Sequence, residues 1–222
     1  MDLVESRICI VGATGGLGSE IARQCVGHGA RVVLAGRNPT ALERISQELA
    51  CPSVRIDVAE PTSADQAIAE AVEILGGLDV VICATGTVAF GPVTELEDVI
   101  LERLFVANVL GPVRVTRAAI GALTSGGVIV NISGIVADHP TAGMAAYSAT
   151  KAALTAFDRA VAREVRRAGV RILDVRPPHT ETGLATRPIA GVAPALPEGR
   201  VPREVTRAIV DAVAAGATDV VF

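Results

Sequence analysis

ICIVGATGGLG, residues 8–18, is the stretch whose reading decides the fold. Ile8–Val11 is an apolar run short enough for a buried strand, and it passes directly into a turn with glycines at 12, 16 and 18. An amphipathic segment, Gly16–Gly27, follows at once. Glycine lets the backbone turn tightly and lie against a pyrophosphate, and the free amides of a helix N-terminus stabilise its charge. Between the first strand and first helix of an alternating chain, such a turn reads as a dinucleotide cradle. Gly12, Thr14, Gly16, Leu17 and Gly18 are the contacts it would offer. A turn that only packs is the alternative.

The pattern repeats outward along the chain. Strand candidates are Arg7–Val11, Arg31–Ala35, Ser53–Asp57, Asp79–Ala84, Gly127–Ile132, Val170–Val175 and Thr218–Phe222. Helix candidates are Gly16–Gly27, Thr40–Leu49, Ser63–Leu75, a long segment Glu95–Leu123, Met144–Ala168 and Pro202–Ala215. Strands alternating with helices imply an α/β fold, a Rossmann-like doubly wound parallel sheet with helices on both faces. Residues 1–222 read as a single domain. Pro177–Val201 lacks periodicity and is read as a substrate loop, since long loops in compact domains tend to be lids or binding segments.

The second strand, RVVLA, ends at Gly36–Arg37. A carboxylate here would accept the ribose hydroxyls of NAD, and none is present. An arginine pairs instead with a 2′-phosphate through charge-assisted hydrogen bonds. NADP(H) is therefore favoured, with NAD(H) as the alternative. Asp57 and Val58 close the third strand, where Asp57 would accept from an adenine amino group or serve as a turn aspartate.

The chain holds one tyrosine and one lysine, Tyr147 and Lys151, in the stretch YSATK; every other Lys/Arg position is arginine. On a helix they share a face, roughly 6 Å apart along the axis. An ammonium there would favour the charged form of the phenol and lower its pKa, which makes a general acid/base. An ordinary Tyr beside a solvated Lys is the competing reading for so common a spacing.

Composition narrows the rest. A chain of 222 residues buries roughly 70–75% of its unfolded surface, enough for a core without staples. Aromatics are 2% of residues and the net charge is −4, which argues against nucleic acid as a partner. The four cysteines are scattered and the three histidines form no ligand spacing, so no metal is expected and the thiols read as reduced and cytoplasmic. MDLVES shows no signal segment, and no apolar run reaches the ~18 residues of a membrane span.

Taken together, these residues resemble the classical short-chain dehydrogenase/reductase family over nearly the whole chain. GATGGLG is similar to its cofactor turn, CATG (83–86) occupies the place of its Asn-Asn-Ala-Gly motif, and NVLG (108–111) is similar to its catalytic-asparagine motif. NIS (131–133) resembles the end of its fifth strand, YSATK its Tyr/Lys motif, and RPPHTET its Pro-Gly-x-x-x-Thr segment. The resemblance implies roles. Tyr147 exchanges a proton with the substrate oxygen, Lys151 lowers the tyrosine pKa and holds the nicotinamide ribose, and Asn108 anchors a water. Gly86 allows the backbone to approach the cofactor, Thr182 binds the nicotinamide carboxamide, and Pro177 is a further cofactor contact.

Three departures stand out. The family's catalytic serine lies thirteen residues before the tyrosine, where this chain has Gly134; Ser133, one residue off, is the candidate substitute. Thr141 or a backbone N–H is the alternative donor. Cys83 and Ala84 replace the asparagines of the fourth-strand motif, and Pro178 replaces the glycine after Pro177. The implied activity is interconversion of a ketone or aldehyde with an alcohol. Ile135, Val136, Ala142, Met144, Leu184 and Ile189 suggest an apolar pocket. A nucleotide-binding regulator without turnover, or an NAD-dependent epimerase/dehydratase, are the competing functions. Two helices with apolar residues on more than one face imply a homodimer or homotetramer.

Overall fold

The computed structural model describes residues 1–222. Seven parallel strands form one sheet in the order β3-β2-β1-β4-β5-β6-β7. They are β1 (Arg7–Val11), β2 (Arg31–Gly36), β3 (Ser53–Arg55), β4 (Leu78–Cys83), β5 (Leu123–Ile132), β6 (Arg171–Arg176) and β7 (Asp219–Val221). The helices between them are α1 (Gly16–Gly27), α2 (Pro39–Leu49), α3 (Ser63–Leu75), α4 (Asp98–Phe105), α5 (Gly111–Ala122), α6 (Ala145–Glu164) and α7 (Pro202–Ala215).

Alternation along each strand sends neighbours to opposite faces. Ile8 and Ile10 join one apolar core with Ile21 of α1, Leu42 of α2 and Ile209 of α7. Cys9 and Val11 join a second with Ile68 of α3, Val115 of α5 and Val161 of α6. Both faces are covered, which is why the central strands read as unbroken apolar runs.

β1 pairs with both β2 and β4, so the strand order reverses beside it and a crevice opens at the carboxyl ends. Val11 is level with Ala35 and Cys83, and Cys83 with Asn131. Gly12, Gly36, Ala84 and Ile132 therefore reach the same edge of the sheet, where the sequence motifs converge.

One expected element is broken. The long helix over 95–123 is interrupted by a π turn at Val106–Leu110, in which the Gly111 amide bonds to the Val106 carbonyl. Pro112 has no N–H to return to the Asn108 carbonyl four residues earlier, so the regular ladder cannot pass this point. Gly111 also lies so near Val58 that a Cβ would sit 2.8 Å from that side chain. β3 is shorter than the expected 53–57, and β5 begins earlier, at Leu123, with a register irregularity opposite Leu78–Val80.

Candidate active site

The three glycines of the first turn are required for different reasons. Gly12 has φ +85°, and a Cβ there would lie 2.8 Å from the Ala84 carbonyl oxygen. At Gly18 a Cβ would be 2.2 Å from the Gly12 carbonyl oxygen, so α1 can cross the turn only without a side chain. At Gly16 it would meet the Cβ of Thr182 at 2.5 Å, which brings the far loop over the turn. α1 begins without a side-chain cap and without an acidic residue in its first turn. A smooth cradle whose space any Cβ would fill, facing uncapped amides, fits a dinucleotide phosphate.

Thr14, Leu17, Arg37, Asp57 and Val58 line the same cleft of about 890 Å³. Arg37 is exposed at the exit of β2 and has no carboxylate partner. Asp57 accepts from the Ala59 amide at 3.0 Å, and its own amide donates to Ser63 Oγ at 2.9 Å, so it shapes the turn into α3. Gly86 sits close to two polar groups: a Cβ would be 3.2 Å from Asn108 Oδ1 and 3.5 Å from Lys151 Nζ.

Tyr147 and Lys151 occupy one buried face of α6 and both line the cleft. Lys151 Nζ donates to the Ile132 carbonyl at 2.9 Å and lies 5.7 Å from the Tyr147 ring centroid. Burial pushes the ammonium down to about 8, opposed by the negative charge of Asp174 and by Cys83. Burial also pushes the Tyr147 phenol up to about 12. This corrects the expectation that the lysine lowers the tyrosine. The Lys151 charge is directed to the Ile132 carbonyl, and desolvation decides the phenol's state.

Asn108 is fully buried in the π turn. It accepts from the Thr87 amide at 2.8 Å and donates to the Thr87 carbonyl at 2.9 Å and to Thr150 Oγ1 at 3.1 Å. Thr150 Oγ1 in turn donates to the Tyr147 carbonyl at 2.7 Å. The asparagine thus ties the β4 loop to the first turn of α6.

Ser133 does not supply the free hydroxyl expected of it. It is buried, and its single proton is directed at Asp174 Oδ1, with the Val175 carbonyl at 3.0 Å. Position 133 continues the strand pairing, its N–H donating to the Val175 carbonyl, and this sets the side chain beside Asp174 of β6. Asp174 stands beside Arg176, whose buried guanidinium also pairs with Asp138 at 3.2 Å and Asp219 at 2.9 Å. Thr141 also lines the cleft, but its hydroxyl is aimed at the His139 carbonyl, 3.4 Å away.

The segment after β6 holds only an isolated bridge, Thr180 to Arg200. Pro177 accepts from the Ile135 amide at 2.9 Å, and Thr182 rests on Gly16. Farther on, the Ile189 amide donates to the Val88 carbonyl at 2.8 Å and the Phe90 amide to the Ala190 carbonyl at 3.0 Å. These bonds fasten the segment over a small apolar cluster around Val88, Phe90, Leu104 and Tyr147. Ile135, Val136, Met144, Leu184 and Ile189 reach the cleft, whereas Ala142 does not. Val88, Phe90 and His179 line it without having been singled out, because their loops carry no periodicity from which to read a direction. No three His, Cys, Asp or Glu residues are grouped to hold a metal, and no helix is long and apolar enough to cross a membrane.

Residues 6–190 match the model of the short chain dehydrogenase family. An uncharacterized oxidoreductase of Staphylococcus aureus (strain MRSA252) is 30% identical over 190 residues, covering 83% of this chain and 82% of the relative. Among solved structures, BdcA in complex with NADPH superposes with a TM-score of 0.85 at 27% identity, over 97% of this chain and 91% of that one. A dehydrogenase/reductase from Sinorhizobium meliloti 1021 superposes with a TM-score of 0.82 at 26% identity, over 96% and 90%. A short chain dehydrogenase from Burkholderia cenocepacia J2315 in complex with NADP shares the fold, with a TM-score of 0.86 at 24% identity over 96% and 92%.

Proposed function

The chain belongs to the short-chain dehydrogenase family, an oxidoreductase family, and from that premise we propose that it interconverts a hydrophobic ketone or aldehyde with its alcohol using NADP(H). The observation that carries this reading is the meeting of Tyr147, Lys151 and the glycine turn on one cleft. NADP(H), when bound, supplies or takes up the hydride. Gly12, Gly16 and Gly18 would make room for its phosphates, Arg37 would pair with the 2′-phosphate, and Asp57, Val58, Gly86, Pro177 and Thr182 would hold the rest of it along the same cleft. The NADPH held by the related BdcA and the unpaired Arg37 support the NADP(H) preference, with NAD(H) as the alternative.

Tyr147 is the general acid/base. Burial keeps its hydroxyl protonated, ready to donate to the substrate oxygen during reduction. Lys151 Nζ lies 5.7 Å from the Tyr147 ring centroid, and its lowered pKa lets it pass a proton on at neutral pH. Asn108 positions α6 through Thr150, and its carbonyl, which Pro112 cannot reach, is the anchor for a water leading to Lys151. Met144, Leu184 and Ile189 favour an apolar substrate over a sugar. Four free thiols suit the cytoplasm.

NADPH oxidation against a panel of hydrophobic ketones tests the reading. Tyr147→Phe is expected to lower turnover about 10²–10⁴-fold while NADPH still binds. A second reading, a nucleotide-binding protein without turnover, is favoured by one observation, the lack of a free hydroxyl at residues 133–134. NADPH binding without oxidation by any ketone would establish it. Tightly held NAD in the purified protein would indicate an epimerase or dehydratase.

A further inference from the structure

We propose that the backbone N–H of Gly134 is the donor that holds the substrate carbonyl oxygen beside Tyr147, in place of a serine hydroxyl. The inference rests on the oxidoreductase reading above and names the group that reading leaves unassigned.

Gly134 lines the cleft alongside Tyr147 and is itself buried. The amides on either side of it both bond to the β6 strand and its continuation: Ser133 N–H to the Val175 carbonyl at 2.8 Å and Ile135 N–H to the Pro177 carbonyl at 2.9 Å. In extended chain, successive N–H groups point to opposite sides. The Gly134 N–H therefore points away from β6, toward the side on which the Ile132 carbonyl meets Lys151 Nζ at 2.9 Å. It has no acceptor anywhere in the protein. Buried amides are almost always paired, so an unpaired one facing a cleft points to a ligand.

The backbone explains why this donor accompanies glycine. Gly134 has φ +153° and ψ 156°, a region essentially closed to other residues. Space is not the constraint, since a Cβ would meet nothing nearer than Val136 Cγ2 at 3.8 Å and the Pro177 carbonyl oxygen at 4.0 Å. Glycine is needed here for its torsion angles, and those angles aim the amide. A serine would bring a hydroxyl only by turning the backbone and the N–H with it. The flanking bonds to β6 hold the amide in place before substrate arrives, as an oxyanion donor requires. The amide gives up no proton; hydride and proton transfer remain as described above.

The test uses the full-length protein in three steps. Turnover of wild-type enzyme with NADPH and the ketone panel comes first, and its absence refutes the oxidoreductase reading, not the geometry at Gly134. Next, Gly134→Ser and Gly134→Ala are compared. Both are expected to lower kcat/KM about 10²-fold, the usual cost of one oxyanion donor, with NADPH affinity retained. Unchanged turnover in both, or a rise in Gly134→Ser from a restored hydroxyl, overturns the proposal. Finally, ¹⁵N-labelled wild-type protein is saturated with NADP⁺ and the best-reduced ketone of the panel, a complex that cannot turn over. The Gly134 amide proton should move downfield relative to NADP⁺ alone, while Ser133 and Ile135 stay put. A stationary Gly134 resonance refutes the assignment even if the variants fail to fold.

Discussion

Lysine occurs once in this chain, and burial is what makes that choice chemical. An arginine at residue 151 would stay charged in the same surroundings, whereas the Lys151 ammonium is brought down to about 8. The neighbouring hydroxyls show how far a single residue's chemistry depends on its partners. Tyr147 makes no hydrogen bond through its hydroxyl and remains available, while Ser133 is held by Asp174 and is not. On the proposed reading, Arg37 is the residue on which cofactor choice would turn. Hydrogen bonds to a charged group contribute about 1.5–3 kcal/mol, so Arg37→Ala should weaken NADPH binding about 10–100-fold. NADH, which lacks the 2′-phosphate, should be affected no more than a few-fold. Titration of the variant with both dinucleotides checks this, and equal losses would remove Arg37 from the discrimination.

At the scale of an element, α6 does two jobs with one face. Its first turns carry Tyr147 and Lys151 to the cleft, and its later turns bury Thr155 and Asp158 against the sheet. Asp158 accepts from Asn131 Nδ2 at 2.6 Å, yet its other oxygen has no donor. Burial raises its carboxyl to about 8, with Asn131 opposing and Asp174 adding to the shift. The sign follows from proton binding. Between an unfolded pKa of about 4 and the folded value, the unfolded chain ionises while the folded one stays protonated. Asp158 thus lowers stability as pH rises across that window, by about 1.4 kcal/mol per unit at the steepest, and no further above it. Asp158→Asn should remove this dependence, so the variant gains on wild type between pH 5 and pH 8. Urea midpoints at both values measure it, and a constant difference would mean that Asp158 is ionised in the fold. The π turn is the other element that matters, because it places Asn108 against Thr87 and Thr150. Its motif was legible as NVLG, but its break in the helix was not. Pro112 announces a lost hydrogen bond, and the site of the extra residue depends on what Asn108 finds across the gap.

For the whole molecule, the surface left uncovered is the informative part. Val99, Phe105 and Leu110 are exposed along α4 and the π turn. The outer face of α6 presents Ala145, Ala149, Ala156 and Ala160 to solvent. An apolar helical surface of this kind calls for a partner, and a second copy of the chain is the expected one. Wild-type protein should sediment as a dimer or tetramer, and Leu110→Asp should shift it toward monomer with the fold intact. A monomeric wild type at micromolar concentration would refute the expectation.

Much of this protein was legible in one dimension. β1 and α1 were readable because short-range sterics and hydrophobic periodicity act within a few residues. The glycine turn, the Tyr147–Lys151 pair and the parallel alternation follow from the same local rules. Other features were settled only by the folded chain. The engagement of the Ser133 hydroxyl, the high pKa of Tyr147 and the free amide of Gly134 each depend on groups from distant segments: Asp174, the fastened loop, and the Val175 and Pro177 carbonyls. Desolvation and hydrogen-bond satisfaction are properties of a three-dimensional neighbourhood, and no spacing along the chain encodes which neighbour will be there.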